Sequence, residues 1–150
     1  MFNRIKEMVL SVAEKLNFLP PLLARLVIGY VFITSGWGKL HDLDKVIGFF
    51  TQLGIPAPQI QAPFVASVEL VGGILVFIGL FTRLAALPLV GTMVVAIITA
   101  KLKEVASPLD ILGFSEFDYI VLLSWLFTAG AGFLSIDKLI CKRCVDNKEK

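Results

Sequence analysis

Glu69 is the residue on which the chemistry of this chain depends, because it is a carboxylate inside an apolar segment. It begins the stretch Glu69–Arg83, and together with Ile60–Val68 this stretch is long enough to cross a bilayer as a helix. An ionised carboxylate near the midplane costs roughly 2.5–3.5 kcal/mol, so it should face a protein partner or a hydrated cavity. A carboxyl group held in this way could store or deliver a proton.

Arg25 is the candidate partner of Glu69. It lies about one turn inside the segment Pro20–Leu40. Consecutive spans run antiparallel, so helical rise predicts that the two side chains lie within about 7–8 Å of each other in depth. Pairing would relieve the cost of the carboxylate. Alternatively, Arg25 extends to lipid phosphates, as arginine does near the ends of spans. A structural ion pair without a substrate is as good an interpretation as a catalytic pair.

Cys141 and Cys144 form a second candidate site, with Lys142 and Arg143 between them. Adjacent cations favour the reactive thiolate and hence redox exchange. Two chains could instead share a zinc ion, since one pair of cysteines is too few ligands. A chance pair in a terminal segment is the third interpretation. We expect no metal site within one chain.

Membrane-spanning helices are the elements that must position these residues. The 150-residue chain is 57% hydrophobic and 17% charged, with a mean hydropathy of +0.84, which excludes an ordinary soluble protein. We therefore expect a lipid bilayer around it and no nucleic-acid partner. The sequence predicts an all-α integral membrane four-helix bundle, with one domain over residues 20–136. Its four spans are Pro20–Leu40, Ile60–Leu80, Leu84–Leu102 and Phe117–Ile136.

Two amphipathic segments accompany the predicted spans. Apolar residues recur every three or four positions over residues 2–16, which predicts an N-terminal interfacial helix within residues 1–19. Leu43–Leu53 has the same pattern and predicts a short helix in the first outer loop, covering the outer mouth of the bundle. Residues 137–150 form a basic tail that contains the two cysteines.

The distribution of basic residues predicts the orientation of the chain. Nine of them lie before the first span, in the second loop or in the tail, whereas four lie on the opposite side. The positive-inside rule therefore places both termini in the cytoplasm. No cleavable signal peptide is expected, because the first long apolar segment begins only after Pro20–Pro21 and has no small-residue cleavage site.

Charged, aromatic and glycine residues form a pattern in three segments: Arg25…Gly29…Phe32…Gly36-x-x-Lys39-Leu40, Glu69-x-x-Gly72-Gly73 and Gly79-Leu80-x-Thr82-Arg83. This pattern resembles that of the DoxX family, small bacterial four-helix membrane proteins. The resemblance covers about Leu19 to Ile136, and Glu116 or Asp118 could fill its acidic position at the start of the fourth span. Cys141-x-x-Cys144 lies outside the pattern.

The resemblance implies a bacterial inner-membrane protein linked to oxidoreductase systems. Some members are associated with sulfur oxidation coupled to quinone and others with thiol redox defence. We therefore expect a subunit that passes electrons between a sulfur or thiol substrate, or a partner protein, and membrane quinone. No nucleotide, haem or iron–sulfur motif is present, so quinone is the simplest carrier. It would need an apolar slot, hydrogen-bond donors and a proton route.

This expectation assigns roles to six residues of the first two spans and the following loop. Glu69 and Arg25 would be catalytic, and the substrate-binding residues would be Phe32, Trp37, Lys39 and Arg83. We expect a pocket between the first two spans, open to the outer leaflet and lined by Phe32, Trp37, Lys39 and Glu69. Two other functions remain open: a non-catalytic anchor or assembly partner of a soluble or membrane oxidoreductase, and a small-molecule carrier. Either could be a homo-oligomer.

Overall fold

The computed structural model describes residues 2–102, 108–132 and 135–138. Most of these residues are helical, and no strand occurs among them. Cys141 and Cys144 lie outside the described residues. The prediction of an all-α protein is confirmed for the described part. The elements in order are α1 (Phe2–Leu16), α2 (Leu19–His41), α3 (Leu43–Gln52), α4 (Pro58–Ile78), α5 (Thr82–Ala96), a π-helical turn (Ile97–Lys101), a 3₁₀ helix (Pro108–Gly113) and α6 (Ser115–Ala129).

Three helices of the described chain are long and apolar enough to cross a membrane: α2, α4, and α5 extended by its π-helical turn. The predicted fourth span, Phe117–Ile136, is shorter in the structure. Helix α6 has 15 residues, or about 22 Å, and ends where Gly130 and Gly132 take positive φ angles of 79° and 77°. A bundle with four spans therefore stays a prediction.

The four longest apolar helices pack in a ring, α2 on α4, α4 on α5, α5 on α6 and α6 on α2. Close van der Waals packing of apolar side chains between them stabilises the ring, because lipid rather than water surrounds separated helices in a bilayer. The fully buried large residues of this core are Ile28, Phe32, Val76, Leu89, Leu123 and Leu126.

Glycines fix the alignment of α2 against α4. A Cβ atom placed on Gly29 would lie 2.7 Å from the Cα atom of Phe77, and one on Gly36 would lie 2.5 Å from the backbone nitrogen of Leu70. No side chain fits at these positions, so the two helix backbones are in direct contact. The contacts pair the start of α2 with the end of α4. They therefore set which side chains of the two helices can meet.

The end of the bundle that contains Arg25 is closed by the segment after α6. Arg25 Nη1 donates a hydrogen bond of 2.8 Å to the carbonyl of Ala131. The carboxylate of Asp137 accepts hydrogen bonds from the backbone nitrogens of Phe81, at 2.7 Å, and Thr82, at 3.2 Å. These nitrogens begin α5 and would otherwise lack acceptors, so Asp137 caps this helix from a distant part of the chain.

The two amphipathic helices differ in their surroundings. Helix α1 leaves apolar side chains such as Met8, Val9 and Val12 exposed. Its location in the membrane interface stays a prediction. Helix α3 packs against α4 near the end of α2 at which Lys39 lies. It forms one wall of the cavity described next.

Candidate functional site

Glu69 lies at the centre of a polar cluster between α2 and α4. Its side chain is 1% exposed. Lys39 Nζ lies 2.5 Å from both carboxylate oxygens, and Ser35 Oγ donates a hydrogen bond of 2.8 Å to Oε2. Ser35 and Lys39 are four residues apart, so they project from the same face of α2. The charge of the buried carboxylate is therefore balanced by α2, through an ammonium group and a hydroxyl.

The predicted pair of Glu69 with Arg25 is wrong. Arg25 lies beside Gly79, just beyond the end of α4. Glu69 precedes Gly79 by ten residues, which is about 15 Å of helix. The error came from assuming equal depth from the ends of the two spans. The glycine contacts instead place Glu69 one turn from the end of α2, next to Lys39.

A cavity of about 790 Å³ adjoins this cluster, within the size range of small-molecule sites. Helices α3, α4 and α5, the π-helical turn and the start of α6 form its walls, and α2 contributes Ser35 and Lys39. Most of the lining is apolar, including Val46, Phe50, Val65, Val68, Met93 and Ala96. The side chains of Phe49, Phe64 and Val95 line the cavity and keep about half or more of their surface exposed. The cavity is therefore open beside α3, α4 and α5, and two of these helices are long and apolar enough to span a membrane.

Only Lys39 and Glu69, of the six predicted site residues, line this cavity. Phe32 is 1% exposed and belongs to the core, whereas Trp37 is 58% exposed and stacks on His41 with ring centroids 4.5 Å apart. The predicted pocket between the first two spans is therefore displaced towards α3 and α5. It is displaced because the Gly36 contact leaves no space between α2 and α4 at this level.

Arg83 lies at the other end of the bundle from Lys39. It lines a second cavity of about 440 Å³ together with Gly130, Ser135 and Asp137. Its Nη2 atom donates a hydrogen bond of 3.1 Å to the carbonyl of Thr128. Arg25 and Arg83 are thus tied to the segment around the end of α6. Neither touches the Glu69 cluster.

Several residues of the large cavity were absent from the predicted site. Ser35 could have been predicted to lie in the site, because it precedes Lys39 by one helical turn and therefore lies on the same face of α2. Glu116 had a sequence signal in the acidic position of the family pattern, whereas Lys101 and Tyr119 had none before the packing of α6 was known. The π-helical turn that carries Lys101 widens the helix by one residue per turn, a feature often found at functional sites.

Most other polar side chains along the cavity wall already have hydrogen-bond partners. Lys101 lies over the ring of Phe114, at 5.5 Å from its centroid, and Ser115 donates a long hydrogen bond of 3.4 Å to Glu116. The remaining four bond to nearby residues of their own segments: Lys45 to Asp42, Gln61 to the carbonyl of Pro56, Thr92 to that of Leu89, and Thr99 to that of Val95.

The cluster can bind an acceptor and exchange a proton. An ammonium group has three donors, and Lys39 directs part of them at Glu69, so it can also donate to a carbonyl oxygen in the cavity. No group of three or more histidine, cysteine or acidic side chains that could hold a metal ion occurs in the described ranges.

The DoxX family model matches residues 21–102, more than half of the chain. The chain belongs to the DoxX family. The match includes Ser35, Lys39 and Glu69, and it ends before Glu116 and Tyr119. The predicted resemblance is thus confirmed.

Relatives of this DoxX protein share most of their length with it. It is 37% identical to "Putative oxidoreductase CatD" of Bacillus subtilis over 123 residues, 81% of this chain and 87% of the relative. It is 37% identical to "Uncharacterized membrane protein Rv3486" of Mycobacterium tuberculosis, over 79% and 80% of the two chains. It is 30% identical to "Inner membrane protein YqjF" of Escherichia coli, over 87% and 98%. No solved structure matches it.

Proposed function

We propose that this DoxX protein is the membrane subunit of an oxidoreductase system and that its large cavity binds membrane quinone. The observation that carries the proposal is the polar cluster of Ser35, Lys39 and Glu69 in an otherwise mainly apolar cavity with a lateral opening. A lipid-soluble ring would enter from the bilayer without crossing a polar barrier. The name of the relative CatD supports the redox assignment.

The cavity residues fit a quinone in size and chemistry. The volume of about 790 Å³ accommodates a substituted ring and the first part of its tail. Lys39 would donate a hydrogen bond to one carbonyl oxygen, the carboxylate of Glu69 would relay protons beside it, and Ser35 would orient that carboxylate. A quinone takes up two electrons and two protons when it is reduced. The Glu69 cluster accounts for protons only, so we propose a sulfur or thiol substrate, or a partner protein, as the electron source.

The first test measures the quinone retained by the purified protein. We expect wild-type protein in lipid nanodiscs to retain quinone detectable by mass spectrometry, and the Lys39→Met/Glu69→Gln double variant to retain about tenfold less. A hydrogen bond to a charged group contributes about 1.5–3 kcal/mol, which corresponds to at least such a factor. The double variant has no uncompensated buried charge, so it should remain folded.

A matched pair of exposed residues provides the control. Lys15→Met with Glu14→Gln makes the same chemical changes on α1, where both side chains are exposed. This control should retain wild-type amounts of quinone. Equal retention by the wild type, the control and the Glu69 double variant would show that quinone does not bind at this cluster. The anchor function would then be the better proposal.

We also propose an orientation in the bacterial cytoplasmic membrane with both termini in the cytoplasm. The nine-to-four distribution of basic residues supports it, and the relative YqjF is named as an inner membrane protein. We expect a membrane-impermeant maleimide to label Cys141 and Cys144, the only cysteines, in lysed cells but not in intact cells. Labelling of Cys141 and Cys144 in intact cells would show that the termini lie outside the cytoplasm and would contradict the proposed orientation.

A further inference from the structure

Tyr119 is a further polar residue of the large cavity, and it belongs to α6, which packs beside α2. Its hydroxyl makes no hydrogen bond with any residue in the described part of the chain, although a half-buried phenol usually has a partner. Gln61, Thr92 and Thr99 differ in this respect, because their side chains bond to backbone carbonyls.

The ring of Tyr119 is held in a fixed position. It packs edge-on against the ring of Phe32, with centroids 6.0 Å apart and planes inclined by 61°. Phe32 is itself buried in the core, so it restricts the orientation of the tyrosine ring. Phe32 was predicted to bind substrate; in the structure it belongs to the core and contacts the ring of Tyr119.

The distance from Tyr119 to the Glu69 cluster suits a ligand with two polar ends. Tyr119 lies beside Phe32, and the residues of α2 that contact Glu69 follow Phe32 by three (Ser35) and seven (Lys39) residues, a helical rise of about 4.5–10 Å. Apolar side chains such as Met93 and Ala96 line the cavity that both groups share. A ring with an oxygen acceptor at each of two opposite positions could therefore contact both groups at once.

We propose that the hydroxyl of Tyr119 is the second hydrogen-bond donor of the site, and that the site selects rings with two opposed carbonyl groups. Lys39 binds one carbonyl oxygen and Tyr119 binds the other. The inference rests on the proposed quinone site and adds to it a specificity-determining residue. A ring with one carbonyl can satisfy only one of the two donors, so it should bind more weakly.

The test compares two probes of similar shape, 2-methyl-1,4-naphthoquinone with two opposed carbonyls and 1-tetralone with one. Binding to protein in nanodiscs is measured by equilibrium dialysis, with empty nanodiscs subtracted. We expect Tyr119→Phe to weaken naphthoquinone binding about three- to tenfold, the usual effect of one lost hydrogen bond, and to leave tetralone within about twofold. The variant retains the ring and its contact with Phe32. Unchanged tetralone binding would show that it is folded.

Tyr30→Phe is the matched control, because Tyr30 is exposed on α2 and should change neither affinity. Wild-type naphthoquinone affinity in Tyr119→Phe, together with a loss in Lys39→Met/Glu69→Gln, would overturn the second contact and leave the proposed function standing. Equal weakening of both probes by Tyr119→Phe would also overturn it. Failure of the wild type to bind either probe would overturn both proposals.

Discussion

Lys39→Met should destabilise the protein by about 3 kcal/mol, because it leaves the buried carboxylate of Glu69 with only the hydroxyl of Ser35. Removal of one partner from a buried ion pair typically costs 3–5 kcal/mol. The lower end applies here because the side chain of Lys39 is 30% exposed and the ammonium group keeps part of its hydration. The measurement is the free energy of unfolding in bicelles titrated with sodium dodecyl sulfate.

A double-mutant cycle distinguishes the interaction between Lys39 and Glu69 from the separate effects of each mutation on the free energy of unfolding. Addition of Glu69→Gln to Lys39→Met should recover at least half of the loss, because the amide needs no cation and can still accept the hydrogen bond from Ser35. The comparison cycle combines Glu69→Gln with Arg25→Gln. Its two losses should add within about 0.5 kcal/mol, because the side chains do not touch. A larger interaction energy in the Arg25 cycle than in the Lys39 cycle would contradict the structure.

Gly36→Ala should destabilise the protein by about 2–3 kcal/mol, although alanine is the better helix former. The added methyl group would lie 2.5 Å from the backbone nitrogen of Leu70 and 2.7 Å from the carbonyl oxygen of Ala66. Backbone atoms cannot rotate away, so the two helices must separate, and overpacking of this kind costs about 1–3 kcal/mol or more. Separation would also move Lys39 away from Glu69. Quinone retention should therefore fall together with stability.

Gly38→Ala is the control on the same helix. Nothing lies within 4 Å of a Cβ atom at Gly38, so the alanine meets open space. It should leave stability unchanged or raise it by up to about 1 kcal/mol, the usual difference in helix propensity. The same glycine-to-alanine change should therefore lower the stability at position 36 and leave it unchanged or raise it at position 38. Equal effects would show that the close contact of α2 with α4 does not exist in the membrane.

The sequence was sufficient to predict that Glu69 is a buried carboxylate with a partner, because the cost of a carboxylate in an apolar segment does not depend on the details of the fold. The sequence was not sufficient to predict which residue is that partner. Arg25 and Lys39 are both cations on α2, and the choice between them depends on an axial shift of α4 by about 15 Å. That shift is set by where backbones meet at Gly29 and Gly36. The sequence shows the small residues but not which of them face each other.

The position of the cavity was predictable only in part. The amphipathic pattern of Leu43–Leu53 indicated a helix near Lys39, and α3 does line the cavity. Trp37 is of a residue type that is common in binding sites, yet its side chain lies on the outer face of α2. It follows Gly36, which faces α4, and each step along a helix rotates the side chain by about 100°. The place of Tyr119 in the cavity wall could not be predicted, because it depends on the packing of α6 beside α2. No pattern within α6 alone predicts its contact with α2.

Asp137 gives the assembly of this protein a definite order in time. The backbone nitrogen of Thr82 bonds to a carboxylate that is 55 residues further along the chain. At a synthesis rate of roughly 5–20 residues per second, the ribosome needs about 3–11 seconds to reach it. A helix forms within about a microsecond, so α5 exists for seconds with its first nitrogens uncapped. The Arg25 end of the protein is therefore completed last, when the bundle is otherwise assembled.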